Sequence, residues 1–150
     1  ILVDGQRSKG VELSVTGNVT KDWSITGGYA YQDAQITRTQ SATVLAGAQL
    51  ANVPKHSASL WNRYDLNPSW GLGVGVIYRG EIYPSTDNTV ILPAFTRVDA
   101  AAFYNWSPKL RLQLNVENLG DKTYWASANS NNNITPGSPR AWRLTANWKF

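Results

Sequence analysis

The sequence predicts an all-β protein, and more narrowly an antiparallel transmembrane β-barrel segment of about seven strands. Three observations carry that reading. Apolar residues recur with period two along most of the chain, a strand pattern rather than a helical one. The alternating stretches are joined by short turns and long loops in strict succession. Tryptophan and tyrosine gather at the ends of those stretches.

The elements follow in order. "VELSVTGNV" sets Val11, Leu13, Val15 and Val19 against Glu12, Ser14, Thr16 and Asn18. "WSITGGYAYQDAQI" keeps Trp23, Ile25, Tyr29 and Tyr31 in register. "KHSASLWNRYDL" places Ala58, Leu60, Tyr64 and Leu66 on one side. "WGLGVGVIY" opposes Trp70, Leu72, Val74, Val76 and Tyr78 to Gly71, Gly73 and Gly75. "FTRVDAAAFYNW" opposes Val98, Ala100, Ala102, Tyr104 and Trp106 to Arg97, Asp99 and Asn105. "KLRLQLNVEN" sets Leu110, Leu112, Leu114 and Val116 against Arg111, Gln113, Asn115 and Glu117. "RLTANWKF" alternates to the final Phe150. The short connections lie near 20–22, 67–69 and 107–109, and the long loops span 37–52, 84–94 and 120–138.

A soluble sandwich would share this period, but it would bury its apolar face in a core. A barrel in a membrane turns that face to lipid and keeps a polar lumen. The expected strands run 10 to 14 residues, longer than the usual five or six of globular sheets and long enough to cross at a tilt. Trp23, Trp70, Trp106, Trp148 and Phe150 fall beside the short turns or at the end of the chain. Tyr29, Tyr31, Tyr78 and Tyr83 fall near the long loops. These are two aromatic belts at two headgroup levels.

Composition narrows the function. The net charge is +4, but the 14 basic residues are dispersed, which argues against nucleic acid as a partner. Cysteine is absent, so there is no thiolate metal site. His56 is the only histidine, so a metal role is disfavoured and a structural or lumen role is expected. The "GLGVGV" glycines lie along a strand with no helix after them, so they are not a phosphate loop and instead leave room in the lumen or allow curvature. Asp33 and Asp99 are read as lumen-side carboxylates. No nucleophile–base pairing accompanies them, so no enzyme and no catalytic residues are expected. Seven strands is an odd count, which leaves two bare edges in lipid. The expectation is therefore a piece, residues 1–150, of the C-terminal part of a larger barrel.

Several stretches resemble TonB-dependent outer-membrane receptors. They are "KGVELSVTGNVTKDWSITGGYAYQDAQI", "NVPKHSASLWNRYDL", "VENLGDKTYW" and "GSPRAWRLTANWKF". Together they span nearly the whole chain, and their pattern is most similar to the ferric-siderophore branch. The resemblance implies a 22-stranded barrel in the bacterial outer membrane. This chain would supply its last seven strands, with the plug domain and the earlier strands absent. It implies uptake of a ferric siderophore, coupled through the absent plug to the TonB energy-coupling protein. No cofactor is implied, and iron enters only within the bound siderophore. The alternating end, Leu144, Ala146, Trp148 and Phe150, resembles the signal read by the barrel assembly machinery, and outer-membrane lipid is the remaining partner.

Substrate would arrive at the long-loop side. The candidate contacts there are Arg38, Arg79, Tyr83, Arg97, Tyr124 and Trp125. Arginine offers a cationic fork to an anionic chelate, and aromatic rings offer flat faces to aryl groups. Alternatives are a receptor for haem, a vitamin or a glycan, and a small structural or adhesive barrel.

Overall fold

A computed structural model describes residues 5–150. Seven strands form one antiparallel sheet: β1 (Gln6–Asn18), β2 (Trp23–Ile36), β3 (His56–Asp65), β4 (Trp70–Arg79), β5 (Phe95–Asn105), β6 (Leu110–Glu117) and, after a two-stranded insertion, β9 (Ala141–Trp148). Each strand pairs with its neighbour in sequence, except that β6 pairs with β9. The sheet is open, with β1 and β9 at its edges. No helix occurs among the described residues.

Register confirms the expected faces. Across the sheet, Leu13 stands opposite Tyr29, Tyr29 opposite Ala58, and Ala58 opposite Tyr78. Further along, Leu72 meets Ala102, Ala102 meets Leu114, and Leu114 meets Leu144. One continuous apolar face results, and it is uncovered: Leu13 is 64% and Leu144 73% exposed. An apolar face of this extent is not left bare to water by a soluble monomer.

The short turns share one device. Each opens on a polar residue whose side-chain oxygen accepts from two backbone N–H groups beyond it. Thr20 Oγ1 accepts from Asp22 and Trp23 at 3.3 and 3.1 Å. Asn67 Oδ1 accepts from Ser69 and Trp70, both at 2.9 Å. Ser107 Oγ accepts from Lys109 and Leu110 at 3.3 and 3.1 Å. All three turns lie at one end of the sheet, and the long loops lie at the other.

The inner face is mostly polar, interrupted by Trp61, Phe95 and Phe103. Trp61 lies flat over the glycine stripe of β4, where a Cβ at Gly73 or Gly75 would overlap its ring. The expected lumen room is therefore filled by a tryptophan from the adjacent strand. A Gly75→Val change should lower the unfolding free energy of the receptor by about 2 kcal/mol through overpacking. Chemical unfolding in lipid vesicles checks this. Adding Trp61→Ala should recover much of the loss, whereas equal losses with and without Trp61 would refute the packing account.

Three sequence expectations need correction, and of the two roles expected for His56 the structural one holds. The loop at 120–138 is not structureless: it carries the hairpin β7 (Trp125–Ser130) and β8 (Asn133–Pro136). Strands β6 and β9 are eight residues long, below the expected range, because the chain leaves the wall early to build that insertion. Asp33 shares the outward parity of Tyr29 and Tyr31 and stands opposite Lys9, so it is not a lumen carboxylate. His56 also faces outward, its Nδ1 2.8 Å from the Tyr29 hydroxyl and its ring against Tyr31, so its role is structural and outside the lumen. Phe150 stands fully exposed beyond the last ladder bond, from the Lys149 N–H to the Lys109 carbonyl.

Candidate ligand-binding site

The long-loop end of β4 and β5 gathers the charged and aromatic residues. Arg97 projects inward because it alternates with the outward Val98. Its Nη1 donates to Glu117 at 2.7 Å and to the Tyr124 hydroxyl at 2.8 Å, and its Nη2 donates to Asp99 at 2.9 Å. The Arg97 and Asp99 side chains are largely withdrawn from solvent. Two carboxylates and a phenol thus enclose one guanidinium.

Arg79 stands beside this cluster, its guanidinium carbon 4.8 Å from the centre of the Phe95 ring. It donates to the Trp125 carbonyl at 2.8 Å and to the Ala126 carbonyl. Phe95 in turn packs on Tyr124, with ring centres 4.3 Å apart. Tyr124 is buried, and its ring lies where a side chain at position 137 would stand, so Gly137 is required for that close approach.

The loops above are stitched to one another. Asn88 accepts from the Gln49 N–H at 2.7 Å and donates to the Gln49 carbonyl at 3.0 Å. Asn131 donates to both carboxylate oxygens of Asp87 at 3.2 and 2.9 Å and to the Thr89 hydroxyl at 3.1 Å. Beneath them Ile82, Leu92 and Ala128 form a small apolar core flanked by Val90 and Ile134. Three loops far apart in sequence therefore make one structural unit.

Of the six expected contacts, Arg79, Arg97, Tyr124 and Trp125 come together. Tyr83 enters through its backbone, its carbonyl accepting from Asn52 at 2.8 Å. Arg38 stands exposed just beyond β2. Sequence reasoning did not single out Asn118, the buried polar residue that closes the base of the 118–140 loop. Its side-chain amide donates to the Lys122 and Ser138 carbonyls at 2.9 and 3.0 Å and accepts from the Lys122 N–H at 2.9 Å. Its backbone N–H donates to Asp99 at 2.8 Å. The signal was the end of alternation at "VENLGDK": Asp121 and Arg140 belong to the same closure, with the Arg140 N–H donating to Asp121 at 2.8 Å.

A family model of TonB-dependent-receptor-like β-barrels matches residues 1–119. This chain belongs to the TonB-dependent receptor β-barrel family. The siderophore receptor PiuA of Acinetobacter baumannii is 34% identical over 150 residues, with 94% of this chain and 20% of PiuA covered. The catecholate siderophore receptor Fiu of Escherichia coli K12 is 37% identical, covering 97% of this chain and 20% of Fiu. The crystal structure of PiuA superposes with a TM-score of 0.89 at 35% identity, and the closed form of Fiu with 0.86 at 34%, covering 22% and 21% of those chains. The chain thus spans about a fifth of the length of these relatives. The sheet is wall of a bacterial outer-membrane receptor barrel. Its apolar face is the lipid side, its short turns are periplasmic and its long loops extracellular.

The loop stitching carries an acid dependence. Hydrogen bonds from the Thr89 N–H and then from Asn131 hold the Asp87 carboxyl below its ordinary pKa of 3.8. A group depressed on folding stabilises above its unfolded pKa, and that contribution fades as pH falls through the folded value. Amide exchange at 84–94 and in β7–β8 should therefore accelerate only below about pH 4. Asp87→Asn should remove that acid step; a step that survives the substitution would assign it to another group.

Proposed function

We propose that this chain is barrel wall and extracellular binding surface of a TonB-dependent receptor that takes up a ferric siderophore. The similarity to two receptors named for siderophores, one of them for catecholates, supports this reading. So does the arginine–aromatic cluster at the extracellular mouth, where Arg79, Arg97, Phe95 and Tyr124 place cationic forks beside flat rings. That pairing suits an anionic iron chelate bearing aryl groups. The residues act by binding, and the proposal includes no enzymatic step and no resident cofactor. Energy would come from the TonB protein through a plug outside this segment, and insertion through recognition of the Leu144–Phe150 end by the assembly machinery.

A second cargo is favoured by one observation. The metal-pseudopaline receptor CntO of Pseudomonas aeruginosa is also 37% identical, over 149 residues. The chelate would then carry a different metal. Deleting the whole gene and supplying defined metal sources separates the two. Loss of growth on catecholate iron alone is expected. Unchanged growth on every ferric siderophore, with lost uptake of another metal chelate or of haem, would overturn the siderophore assignment.

A further inference from the structure

The inner face carries a second charged region at its opposite, periplasmic end. Arg111 projects inward from β6, opposite Asn105 on β5 and Asn147 on β9. Its guanidinium carbon lies 4.9 Å from the centre of the Phe103 ring, which Arg63 also covers at 4.4 Å. Arg63 is neutralised by Asp65 at 2.9 Å. Arg111 has no carboxylate partner among the described residues, and its Nε is buried without a hydrogen-bond partner. The Nε atoms of Arg79 and Arg97 are also unpartnered, but their Nη groups are engaged, whereas Arg111 makes no hydrogen bond to any described residue and lacks an acceptor.

Arg111 borders a hollow of about 810 Å³ that it shares with Lys109, Lys149, Asn105 and Asn147, and no carboxylate lines it. The contrast with the extracellular end is direct. There one arginine is held by two carboxylates; here three cations share a concavity with none. Trp106 and Leu110 join the lining from the turn between β5 and β6, while Asn105, Arg111 and Asn147 share the inward parity, so the hollow lies at the lower rim of the wall and reaches its inner face. Its volume falls in the range of roughly 300–1,000 Å³ that holds a ligand of many atoms, more than one small oxyanion requires.

We propose that this hollow is a docking site for an acidic peptide segment. Arg111, steadied on Phe103, would receive one carboxylate through its fork, and Lys109 and Lys149 would receive its neighbours. The asparagine amides would pair with the peptide backbone. The site is independent of the cargo.

Carbodiimide treatment of outer membranes carrying the full-length receptor tests this, because the reagent joins lysines only to carboxylates in contact. Mass spectrometry should find Lys109 or Lys149 joined to an aspartate or glutamate of one acidic stretch outside residues 5–150. Arg111→Gln, which leaves both lysines in place, should cut that yield roughly fivefold. Asn147→Asp, which keeps Arg111 and supplies a carboxylate across from it, should do the same. Absence of such a product, or a yield unchanged in both variants, would overturn the proposal. Suppression by millimolar inorganic phosphate, but not by chloride of equal ionic strength, would overturn it in favour of a small-anion site.

Discussion

Replacing Arg97 with glutamine is expected to free the β7–β8 hairpin from the barrel wall. The substitution leaves Asp99 and Glu117 facing one another without a cation and takes away the donor to the Tyr124 hydroxyl. Removing one member of a partly buried ion cluster costs about 3 kcal/mol, mostly because the remaining charges are stranded. The loss should be local. Amide exchange should rise by one to two orders of magnitude across 124–136, while the ladder of β1 to β3, which does not pair with the strand of Arg97, keeps its protection. Arg97→Lys should rescue little, since one ammonium cannot reproduce two forks aimed at three acceptors. Unchanged exchange in β7–β8 would show that Arg79 and the loop core hold the hairpin by themselves.

That experiment also bears on binding. Arg79 and Arg97 are already engaged as struts, one on the carbonyls of Trp125 and Ala126, the other on two carboxylates and a phenol. An anionic cargo that used them would have to displace those partners. Its binding would then be linked to the position of the hairpin.

The wall was legible in the sequence because one face is apolar along nearly every strand from Val11 to Trp148, with Asn62 and Thr96 as polar exceptions. A period of two assigns every residue to a face once any one is placed. The short turns were legible because Thr20, Asn67 and Ser107 carry the turn chemistry locally. Asp33 was misplaced because it sits where a strand runs past the membrane, and there polarity no longer distinguishes inside from outside; for His56 the same ambiguity left a structural and a lumen role both open. The β7–β8 hairpin was not legible at all. Its strands are four and six residues long, their register is broken by bulges, and the side chains they pack on the loop core are Ala128 and Ile134. They are held by partners distant in sequence, Ile82 and Leu92 against those two side chains and Arg79 on the Trp125 and Ala126 carbonyls. No local pattern encodes such a contact. The roles of Arg79 and Arg97 were half legible: their residue type and position were right, but long-range partners decided that they bind protein groups first.

Asn118→Ala should be about as damaging as loss of Arg97, by a different route. Asn118 is 1% exposed and holds φ of 52°, a left-handed conformation. Its amide ties the start of the 118–140 loop to Lys122 and to Ser138 at the far end. Stranding those backbone groups costs about 1 kcal/mol or more each, and forcing alanine to hold the left-handed backbone costs about 1 kcal/mol further. A loss of about 3–4 kcal/mol is therefore expected in the unfolding of the receptor. Asn118→Gly separates the two causes. It relieves the backbone but supplies no amide, so it should recover only about 1 kcal/mol. Full recovery by glycine would mean that strain, and not the loop closure, is what Asn118 resolves. The two sites meet at Asp99, which accepts from Arg97 through one oxygen and from the Asn118 backbone through the other. If Asp99 couples them, the double variant Arg97→Gln, Asn118→Ala should lose less than the sum of the single losses, by about 1 kcal/mol. The first loss already releases the loop that the second would have to release. Strict additivity would show instead that the base of the loop and its strut fail independently.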